Sequence, residues 1–367
     1  MVVVKRIIIV GGGIAGLSAA WHLARSGAGR VQLLERESLL CTHASGRNAA
    51  IFRPLEADST LAGLARRSLE LFQELSPERP LVDSTGLMLL AKTLVPLEPI
   101  ARTARAVGTP CVLEAPREVS ARLTGLCTEG WYGLYGATGG VLDIHTLTEA
   151  LGRVSRALGV EVRSNSGVLR VVTRGAGVVG VETSQHEMLE ADVVVLAAGA
   201  WNVELGMSAG VALPFTPVRR HLALLAPEQT LPTGMPAVWS LDDEVYFRRE
   251  GARVLTSPCD ETVWAPGIPQ AEVQCLEGLA AKLGGIDAGL GRAQVVRYWA
   301  CLRTFVPDRR PVIGGDPRVS GIYWLGGLGG FGMTTAVAAG ELLAQAVTGR
   351  EPPPSVAPQR FLGPRAV

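Results

Sequence analysis

Apolar residues occur along most of the chain in short continuous runs that end in glycine or other small residues. The stretch RIIIVGGGIAGLSAAWHLARSGAGRVQLLE predicts a buried parallel strand, a turn, a helix and a second strand over residues 5–35. ADVVVLAAGAW predicts another buried strand. GIYWLGGLGGFGMTTAVAAGELLAQAV predicts a strand, a glycine-rich turn and a helix near the C-terminus. These patterns together indicate an α/β domain.

Other parts of the chain alternate apolar and polar residues, as half-buried antiparallel strands do. GVLRVVTR and GVVGVETS predict a meander, and residues 214–298 contain strands with little helix. We therefore predict an α/β protein with a second, α+β domain. The first domain takes residues 1–85, 140–210 and 295–367, and the second takes residues 86–139 and 211–294, with a mainly antiparallel sheet.

Composition narrows the class of protein. A chain of 367 residues is longer than a single hydrophobic core usually accommodates, so we expect two domains. Hydrophobic residues make up 47% of the chain and the mean hydropathy is +0.25, as in globular enzymes with a large core. A net charge of +1 gives no basic field for nucleic acid. The six cysteines show no metal-ligand spacing, so no metal is expected. The N-terminal apolar run lacks the features of a signal peptide, which predicts a cytoplasmic protein; peripheral membrane contact and a homo-oligomer stay open.

The first turn carries a dinucleotide-binding signature. Gly11, Gly13 and Gly16 occupy G-x-G-x-x-G between strand and helix, where they permit a tight turn, close approach of a pyrophosphate and helix–strand packing. Glu35 ends the second strand, where its carboxylate can accept hydrogen bonds from ribose hydroxyls. The helix that follows the turn offers free N–H groups to phosphates.

The cofactor that this signature predicts is FAD and not NAD, because three distant segments return to it. The last glycine-rich turn opens a helix at Gly332 or Met333, whose positive end would face the N1–C2=O edge of a flavin. The predicted cofactor-binding residues are Gly11, Gly13, Ile14, Ala15, Gly16, Glu35, Arg36, His43, Ala44, Ser45, Gly46, Arg47, Asn48, Ala49, Ala50, Val168, Ala198, Gly199, Trp201, Gly329, Gly330, Phe331, Gly332, Met333 and Thr334.

The segment THASGRNAA is rich in small residues and follows the second strand. Small residues leave room for a large ligand, so we predict that the ribityl chain and the isoalloxazine ring lie along residues 41–50. Arg47 holds the pyrophosphate or packs against the ring in this interpretation. A surface salt bridge is the alternative for Arg47.

The motifs GGGIAG with Glu35, THASGRNAA, LDIHTL, ADVVVLAAGAW, LRTFVPDRRPVIGGD and GGLGGFGMTTAVAAG resemble those of the D-amino-acid-oxidase-type flavoenzymes. This group includes glycine oxidase, sarcosine oxidase and dimethylglycine dehydrogenase, and the resemblance covers nearly the whole chain. The segments VRR, SLDDEVYF and WACLRTFVPD resemble the bacterial D-arginine dehydrogenases within it. The resemblance implies a glutathione-reductase-type Rossmann domain for FAD.

The resemblance also implies a reaction and its residues. A hydride would pass from the α-carbon of an amino acid to flavin N5, and water would hydrolyse the resulting imino acid. Arg303 and Tyr246 would bind the substrate carboxylate, Arg220 would line the pocket, and the Gly330 carbonyl would accept from the ammonium group. A structural ion pair for Arg303 and a core aromatic position for Tyr246 are the alternatives that the residues leave open.

Departures from the resemblance concern the substrate. Ile51 and Glu56 replace the histidine and tyrosine of D-arginine dehydrogenase, Leu87 replaces an acidic residue, and Arg53 is an added cation. A pocket of this composition favours an apolar or acidic side chain over a cationic one. Glu56 is a candidate general base.

The resemblance leaves further points open. His43 matches a histidine that carries the flavin covalently in dimethylglycine dehydrogenase, yet we expect noncovalent FAD. The electron acceptor is a quinone or O2. A 2-hydroxy acid or an N-methyl amino acid is the alternative substrate, and a flavin-binding subunit without catalysis is a further alternative.

Overall fold

A computed structural model of the chain describes residues 4–362. Its helices are α1 Ile14–Arg25, α2 Ser59–Leu75, α3 Leu97–Ala106, α4 Pro116–Arg122, α5 Ile144–Ala157, α6 Asn202–Ser208, α7 Cys275–Gly284, α8 Ala288–Gly291 and α9 Gly332–Val347. Its first strands are β1 Arg6–Val10, β2 Arg30–Leu34, β3 Ile51–Phe52, β4 Val82–Asp83, β5 Leu87–Ala91, β6 Val112–Glu114, β7 Tyr132–Gly136, β8 Gly140–Leu142, β9 Glu161–Arg163 and β10 Val168–Arg174. The others are β11 Gly177–Thr183, β12 Met188–Glu190, β13 Val193–Leu196, β14 Thr216–Ala226, β15 Ala237–Ser240, β16 Val245–Glu250, β17 Arg253–Ser257, β18 Thr262–Val263, β19 Gln294–Phe305, β20 Val312–Gly315 and β21 Ile322–Gly326.

The first sheet contains six strands in the order β20-β21-β13-β1-β2-β9, and all neighbours except β20 and β21 are parallel. Its central strands are apolar throughout because both faces of the sheet are covered. Helices α1, α2, α5 and α9 supply one buried cluster, and residues of the β10-β11-β12 meander with Trp324 supply the other.

Helices α1 and α9 pack directly against each other at Gly340. A Cβ atom at this glycine would lie 2.7 Å from the backbone carbon of Ser18 and 2.8 Å from its oxygen, so only glycine fits the crossing. Helix α1 follows β1, and α9 follows β21, which are parallel strands of one sheet. The two helix N-termini therefore lie at the same edge, where the strands have their carboxyl ends.

The second sheet has nine strands. Its path is β18-β14-β17-β16-β15-β5-β7-β6, with β19 paired to β14, and all pairs except β5 with β15 are antiparallel. Strands from residues 86–139 and from residues 211–294 share this sheet. Two buried clusters cover it, and α3 lies on one of them and α7 on the other.

Strand β19 differs from the sequence-based division of the chain. We assigned residues 295–305 to the dinucleotide-binding segments, but Gln294–Phe305 pair with β14 from Thr216 to Ala226. This long pairing explains the difference, because both strands share one register over most of their length and bury Cys301 and Leu222 together. The division of the remaining residues stays a prediction.

A third, small sheet joins the two large ones. Strand β8 pairs with β3 and β4, which places the start of the second sheet beside the segment that follows β2. The predicted class, an α/β dinucleotide-binding unit with a mainly antiparallel second unit, is confirmed. No helix between residues 4 and 362 is long and apolar enough to cross a membrane.

The crossing of α1 and α9 can be tested with Gly340→Ala. We expect a loss of about 1–3 kcal/mol in the free energy of unfolding, because the added methyl group overlaps Ser18. Gly63→Ala is the matched control, since a Cβ in this interior position of α2 meets no atom within 4 Å. It should stabilise the protein by up to about 1 kcal/mol. Urea unfolding followed by circular dichroism measures both changes, and equal effects would contradict the packing.

Candidate active site

A cavity of about 470 Å³ lies between the carboxyl edge of the six-stranded sheet and the nine-stranded sheet. This volume falls within the usual range of ligand sites. Most of the residues predicted from the sequence line it: Gly11, Gly13, Ile14, Ala15, Glu35, Arg36, His43, Ala44, Ser45, Arg47, Asn48, Ala49, Ala50, Ile51, Arg53, Val168, Ala198, Gly199, Trp201, Arg220, Tyr246, Arg303, Gly329, Gly330, Gly332 and Met333.

The glycine turn has the close approaches that its pattern predicts. Gly11 has a φ of +109°, and a Cβ there would lie 2.6 Å from the carbonyl oxygen of Ala197. A Cβ at Gly16 would lie 1.8 Å from the Gly11 oxygen, so Gly16 serves helix packing and does not reach the cavity wall. The carboxylate of Glu35 accepts from the Gly12 N–H at 2.6 Å and holds the turn against β2.

Two helix N-termini open onto the cavity. Helix α1 begins after Gly13 and α9 after Phe331, and neither cap residue makes a side-chain capping hydrogen bond. The Ile14 N–H donates to the Ser45 hydroxyl at 3.0 Å. Both ends thus present backbone N–H groups and partial positive charge to a ligand.

The loop of residues 41–50 forms the wall between these helix ends and the second sheet. Asn48 organises the loop: its side-chain amide donates to the Ser45 carbonyl at 2.7 Å, and its oxygen accepts from the Ala50 N–H at 2.7 Å. Arg248 donates to the Ala49 carbonyl at 2.6 Å. Trp299 donates to the Arg47 carbonyl at 3.1 Å, so the second sheet holds the loop directly.

Four side chains of the wall are cationic or aromatic at the dinucleotide end. His43 Nε2 lies 3.0 Å from a carboxylate oxygen of Glu37, and its ring lies 4.7 Å from that of Trp201. The guanidinium of Arg36 covers the other part of the Trp201 surface at 4.8 Å. Arg47 is half-buried, and no carboxylate among residues 4–362 pairs with it, which argues against the surface salt bridge.

This donor set fits FAD. The wall combines a glycine turn, the N-termini of α1 and α9, the acceptor Glu35 and the cation Arg47, which are the groups that a pyrophosphate and a ribose require. Space for a large planar group exists as well, because a Cβ atom at Gly199 or at Gly330 would meet no protein atom within 4 Å.

The opposite end of the cavity is formed by the second sheet. Arg303 and Cys301 lie two residues apart on β19, and the guanidinium donates to the Cys301 sulfur at 2.9 Å. Arg303 is only 6% exposed, and no carboxylate of residues 4–362 pairs with it. The alternative of a structural ion pair therefore finds no partner here.

Tyr246 on β16 lies beside Arg303. Its ring packs on Trp239 with a centroid separation of 4.6 Å, and burial raises the pKa of the phenol to about 12. Arg220 on β14 also reaches the wall, but it donates to Glu261 at 2.6 Å and to the Asp260 carbonyl at 3.2 Å. Arg220 is thus neutralised by the protein itself, unlike Arg303.

Arg53 is a further cation of the wall. Its guanidinium lies 3.9 Å from the Trp239 ring centroid and 4.5 Å from that of Phe331, and it forms an ion pair with Glu56. Glu56 is not part of the cavity wall. The chain leaves β3 at Phe52 and buries Leu55, so Glu56 contacts Arg53 from behind and is not placed to act as the base beside a substrate amine.

Three more predicted residues lie behind the wall. Gly46 packs on the Cys41 carbonyl, Phe331 contacts Arg53, and the Thr334 hydroxyl accepts from the Arg53 N–H at 3.2 Å. Leu87, the position where a related enzyme has an acid, is buried in β5 and does not reach the wall either.

Several wall residues were not predicted from the sequence: Gly167, Ser184, Gly267, Pro269, Trp239, Cys301, Thr304, Gly326 and Leu328. A signal existed for Trp239, because WSLDDEVYF forms a hairpin that pairs Trp239 with Tyr246. Cys301 lies opposite Arg220 in the pairing of β14 with β19. Its place in the wall could be found only once this register was known. Gly267 and Pro269 belong to an irregular segment and left no periodic signal.

This segment, residues 260–272, is held by three consecutive side chains of β14. Arg219 makes two bonds of 2.6 and 2.7 Å to Glu272, and Arg220 binds Glu261. His221 Nδ1 lies 2.7 Å from Asp260, and its Nε2 accepts from the Glu272 N–H at 3.0 Å. The Nε2 contact requires a neutral ring with its proton on Nδ1. The segment carries Gly267 and Pro269 to the cavity.

The fold and the cavity together define a dinucleotide-binding protein whose cavity is bounded on one side by an antiparallel sheet. The sequence profile described as FAD dependent oxidoreductase matches residues 6–346, and the chain belongs to that family. The predicted family and its cofactor, FAD, are thereby confirmed.

Known proteins similar to the chain differ in length. Over 360 residues it is 27% identical to the mitochondrial pyruvate dehydrogenase phosphatase regulatory subunit of Mus musculus, covering 93% of this chain and 41% of that protein. It is 29% identical to glycine oxidase of Pseudomonas aeruginosa, and the match covers 95% of this chain and 96% of that protein. The solved L-proline dehydrogenase of P. horikoshii has the same fold, with a TM-score of 0.88, 22% identity and 97% of both chains covered. The chain spans less than half the length of several curated relatives that it matches.

The attachment of residues 260–272 to strand β14 can be tested with His221→Phe. The change leaves one oxygen of the Asp260 carboxylate and the Glu272 N–H without their imidazole partners, while the backbone N–H of residue 221 still donates to the other Asp260 oxygen. We therefore expect a loss of about 1–3 kcal/mol and faster proteolytic cleavage in the segment. His145→Phe is the control, because His145 is exposed and its substitution should stay within about 0.5 kcal/mol. Mass spectrometry of the fragments locates the cut; unchanged cleavage would contradict the assignment.

Proposed function

We propose that the chain oxidises the Cα–N bond of a small amino acid, of D configuration and without a strongly cationic side chain, to an imino acid. A single observation carries this proposal: the guanidinium of Arg303 is buried at the cavity without a carboxylate partner among residues 4–362. A buried unpaired charge is costly, and a bound substrate carboxylate would offset that cost.

Tyr246 supports the same anion site. Because its phenol is buried and its pKa is raised to about 12, it keeps its proton and remains a hydrogen-bond donor. Arg303 and Tyr246 come from β19 and β16, which lie in one sheet, so a carboxylate would be held by rigid elements. Gly330 lies across the cavity with open space at its α-carbon, and its carbonyl would accept from the substrate nitrogen.

The chemistry that FAD supplies when bound is acceptance of a hydride from the substrate α-carbon. The residues of the chain orient the substrate for this transfer by holding its carboxylate. The substrate nitrogen loses a proton, and no carboxylate of the substrate wall is placed to take it, so the amine must bind in its neutral form. A quinone or O2 would take up the electrons afterwards.

The position of His43 favours noncovalent FAD. Its Nε2 is engaged by Glu37 at 3.0 Å, which leaves this nitrogen occupied within the loop. D-Amino acids and N-methyl amino acids remain the substrates to compare, and 2-hydroxy acids would use the same carboxylate anchor.

The proposal predicts that the purified FAD-loaded protein is bleached anaerobically by amino acids and releases its flavin on acid denaturation. A panel of D-amino, L-amino, N-methyl amino and 2-hydroxy acids identifies the bond that is oxidised. Bleaching by 2-hydroxy acids alone would replace the proposed reaction. A yellow protein that no compound bleaches would indicate a flavin-binding subunit.

In the same assay Arg303→Gln should raise the substrate concentration for half-maximal bleaching about 10- to 100-fold, because it removes a charged hydrogen bond. Arg303→Lys retains the charge, so its half-maximal substrate concentration should lie between those of the wild-type protein and Arg303→Gln. Flavin absorbance per protein should be equal in all three. An unchanged concentration dependence in Arg303→Gln would contradict the anchor.

Tyr246 gives a prediction for pH. Because burial raises its pKa from 10.0 to about 12, the neutral phenol persists as pH rises towards 10. Binding of an amine-free carboxylate should therefore stay constant from about pH 7 to about pH 10, and Tyr246→Phe should weaken it about 3- to 10-fold throughout. Titration of flavin absorbance measures both proteins. If the tighter carboxylate binding of the wild-type protein relative to Tyr246→Phe disappeared near pH 8, Tyr246 would not be the donor.

A further inference from the structure

The substrate wall contains more cationic groups than one substrate carboxylate requires. Arg303 is sufficient as the anchor of that group, and Arg220 is already paired with Glu261 at 2.6 Å. Arg53 is a further cation of the wall: it contacts the Trp239 ring on which Tyr246 packs, and its carboxylate partner Glu56 does not line the cavity. The described structure thus has a second position for an anion.

The guanidinium of Arg53 is held in one orientation. The rings of Trp239 and Phe331 lie at 3.9 and 4.5 Å from it, and its backbone N–H donates to Thr334. Aromatic rings over the guanidinium leave the N–H groups in its plane to bind acceptors. The Nε atom of Arg53 is buried and has no hydrogen-bond partner in the described part of the chain. An in-plane carboxylate would satisfy such a group.

Glu56 pairs with a terminal nitrogen of the Arg53 guanidinium and leaves its Nε without a partner in the described part of the chain. Burial raises the pKa of Glu56, so this carboxyl group holds its proton more firmly than an exposed glutamate does. The acidic residues of the wall itself, Glu35 and Glu204, belong to the dinucleotide-binding side, at the end of β2 and in α6. The substrate end is therefore cationic, and an acidic ligand fits it better than a neutral one.

We propose that Arg53 binds a second carboxylate of the substrate, so that the preferred substrate is an amino acid with two acid groups. This inference rests on the proposed function, in which Arg303 binds the α-carboxylate. The second acid group would be carried either by the side chain or by a substituent on the nitrogen. Trp239 contacts both Arg53 and Tyr246 and so connects the two proposed anion positions along the wall.

The wild-type FAD-loaded protein gives the first test, without any substitution. Anaerobic bleaching is compared for aspartate and glutamate of both configurations, iminodiacetate, alanine and norvaline. We expect the compounds with two carboxylates to reach half-maximal bleaching at concentrations about 10- to 100-fold lower than their monocarboxylic counterparts. The half-maximal concentrations for aspartate and glutamate are then compared with that for iminodiacetate. This comparison shows whether the second acid group is preferred on the side chain or on the nitrogen.

The second test measures binding without oxidation. Glutarate carries two carboxylates and butyrate carries one. Both lack the amine and cannot be oxidised at a Cα–N bond, so their binding affinities can be measured from the change that they cause in flavin absorbance. Arg53→Gln should weaken glutarate about 10-fold or more and leave butyrate nearly unchanged. Arg53→Lys should retain part of the preference. Arg297→Gln is the matched control, because it removes an arginine from the face of Trp299 outside the cavity.

The outcomes separate this inference from the proposed function. Equal use of monocarboxylic and dicarboxylic amino acids by the wild-type protein overturns the role of Arg53 and leaves the proposed function intact. Equal weakening of glutarate and butyrate by Arg53→Gln assigns Arg53 to the α-carboxylate or to packing, and also overturns the inference. Bleaching by no amino acid at all contradicts the proposed function itself. If Arg53→Gln does not fold, the wild-type comparison still decides.

Discussion

The arrangement depends on one loop that is hydrogen-bonded to the glycine turn and α1 on one side and to the nine-stranded sheet on the other. An irregular loop must satisfy its N–H and carbonyl groups, and residues 41–50 do so on two sides. The Cys41 N–H donates to the Gly12 carbonyl at 3.1 Å, and Ser45 accepts from the N-terminus of α1 at 3.0 Å. On the other side Arg248 and Trp299 bind the loop carbonyls. These bonds fix the distance between the cofactor wall and the substrate wall.

The second constraint is electrostatic. Arg303 is buried on a strand without an acidic partner among residues 4–362, whereas Arg219 and Arg220 are paired with Glu272 and Glu261. Since side chains alternate along a strand, Arg219 and His221 share one face of β14 and Arg220 the other. The same strand thus holds the segment 260–272 through side chains on both faces, and Arg220 also contributes to the cavity wall.

The dinucleotide-binding unit could be predicted from the sequence because its determinants are local. Gly11, Gly13 and Gly16 specify a turn between adjacent elements, and the apolar run of α9 follows its glycine turn directly. The pairing of residues 295–305 with β14 was not predicted, because strand pairing over long sequence distances leaves no local pattern. Glu56 was misplaced for a similar reason, since its direction depends on how Leu55 is buried by the second sheet.

Cofactor binding and substrate choice share one continuous piece of chain. Residues 41–50 form the cofactor wall, Ile51 begins the small sheet, and Arg53 follows two residues later at the substrate end. Arg303 and Tyr246, which we propose as the carboxylate anchor and donor, come in contrast from β19 and β16 of the second sheet. The β19 backbone nevertheless meets the last glycine-rich turn, because the Thr304 carbonyl accepts from the Gly329 N–H at 2.9 Å. A substitution at Arg53 acts close to the loop that positions the flavin, because its backbone is bonded to Thr334 of α9. Substrate preference at this end of the cavity is consequently constrained by the geometry of the cofactor site.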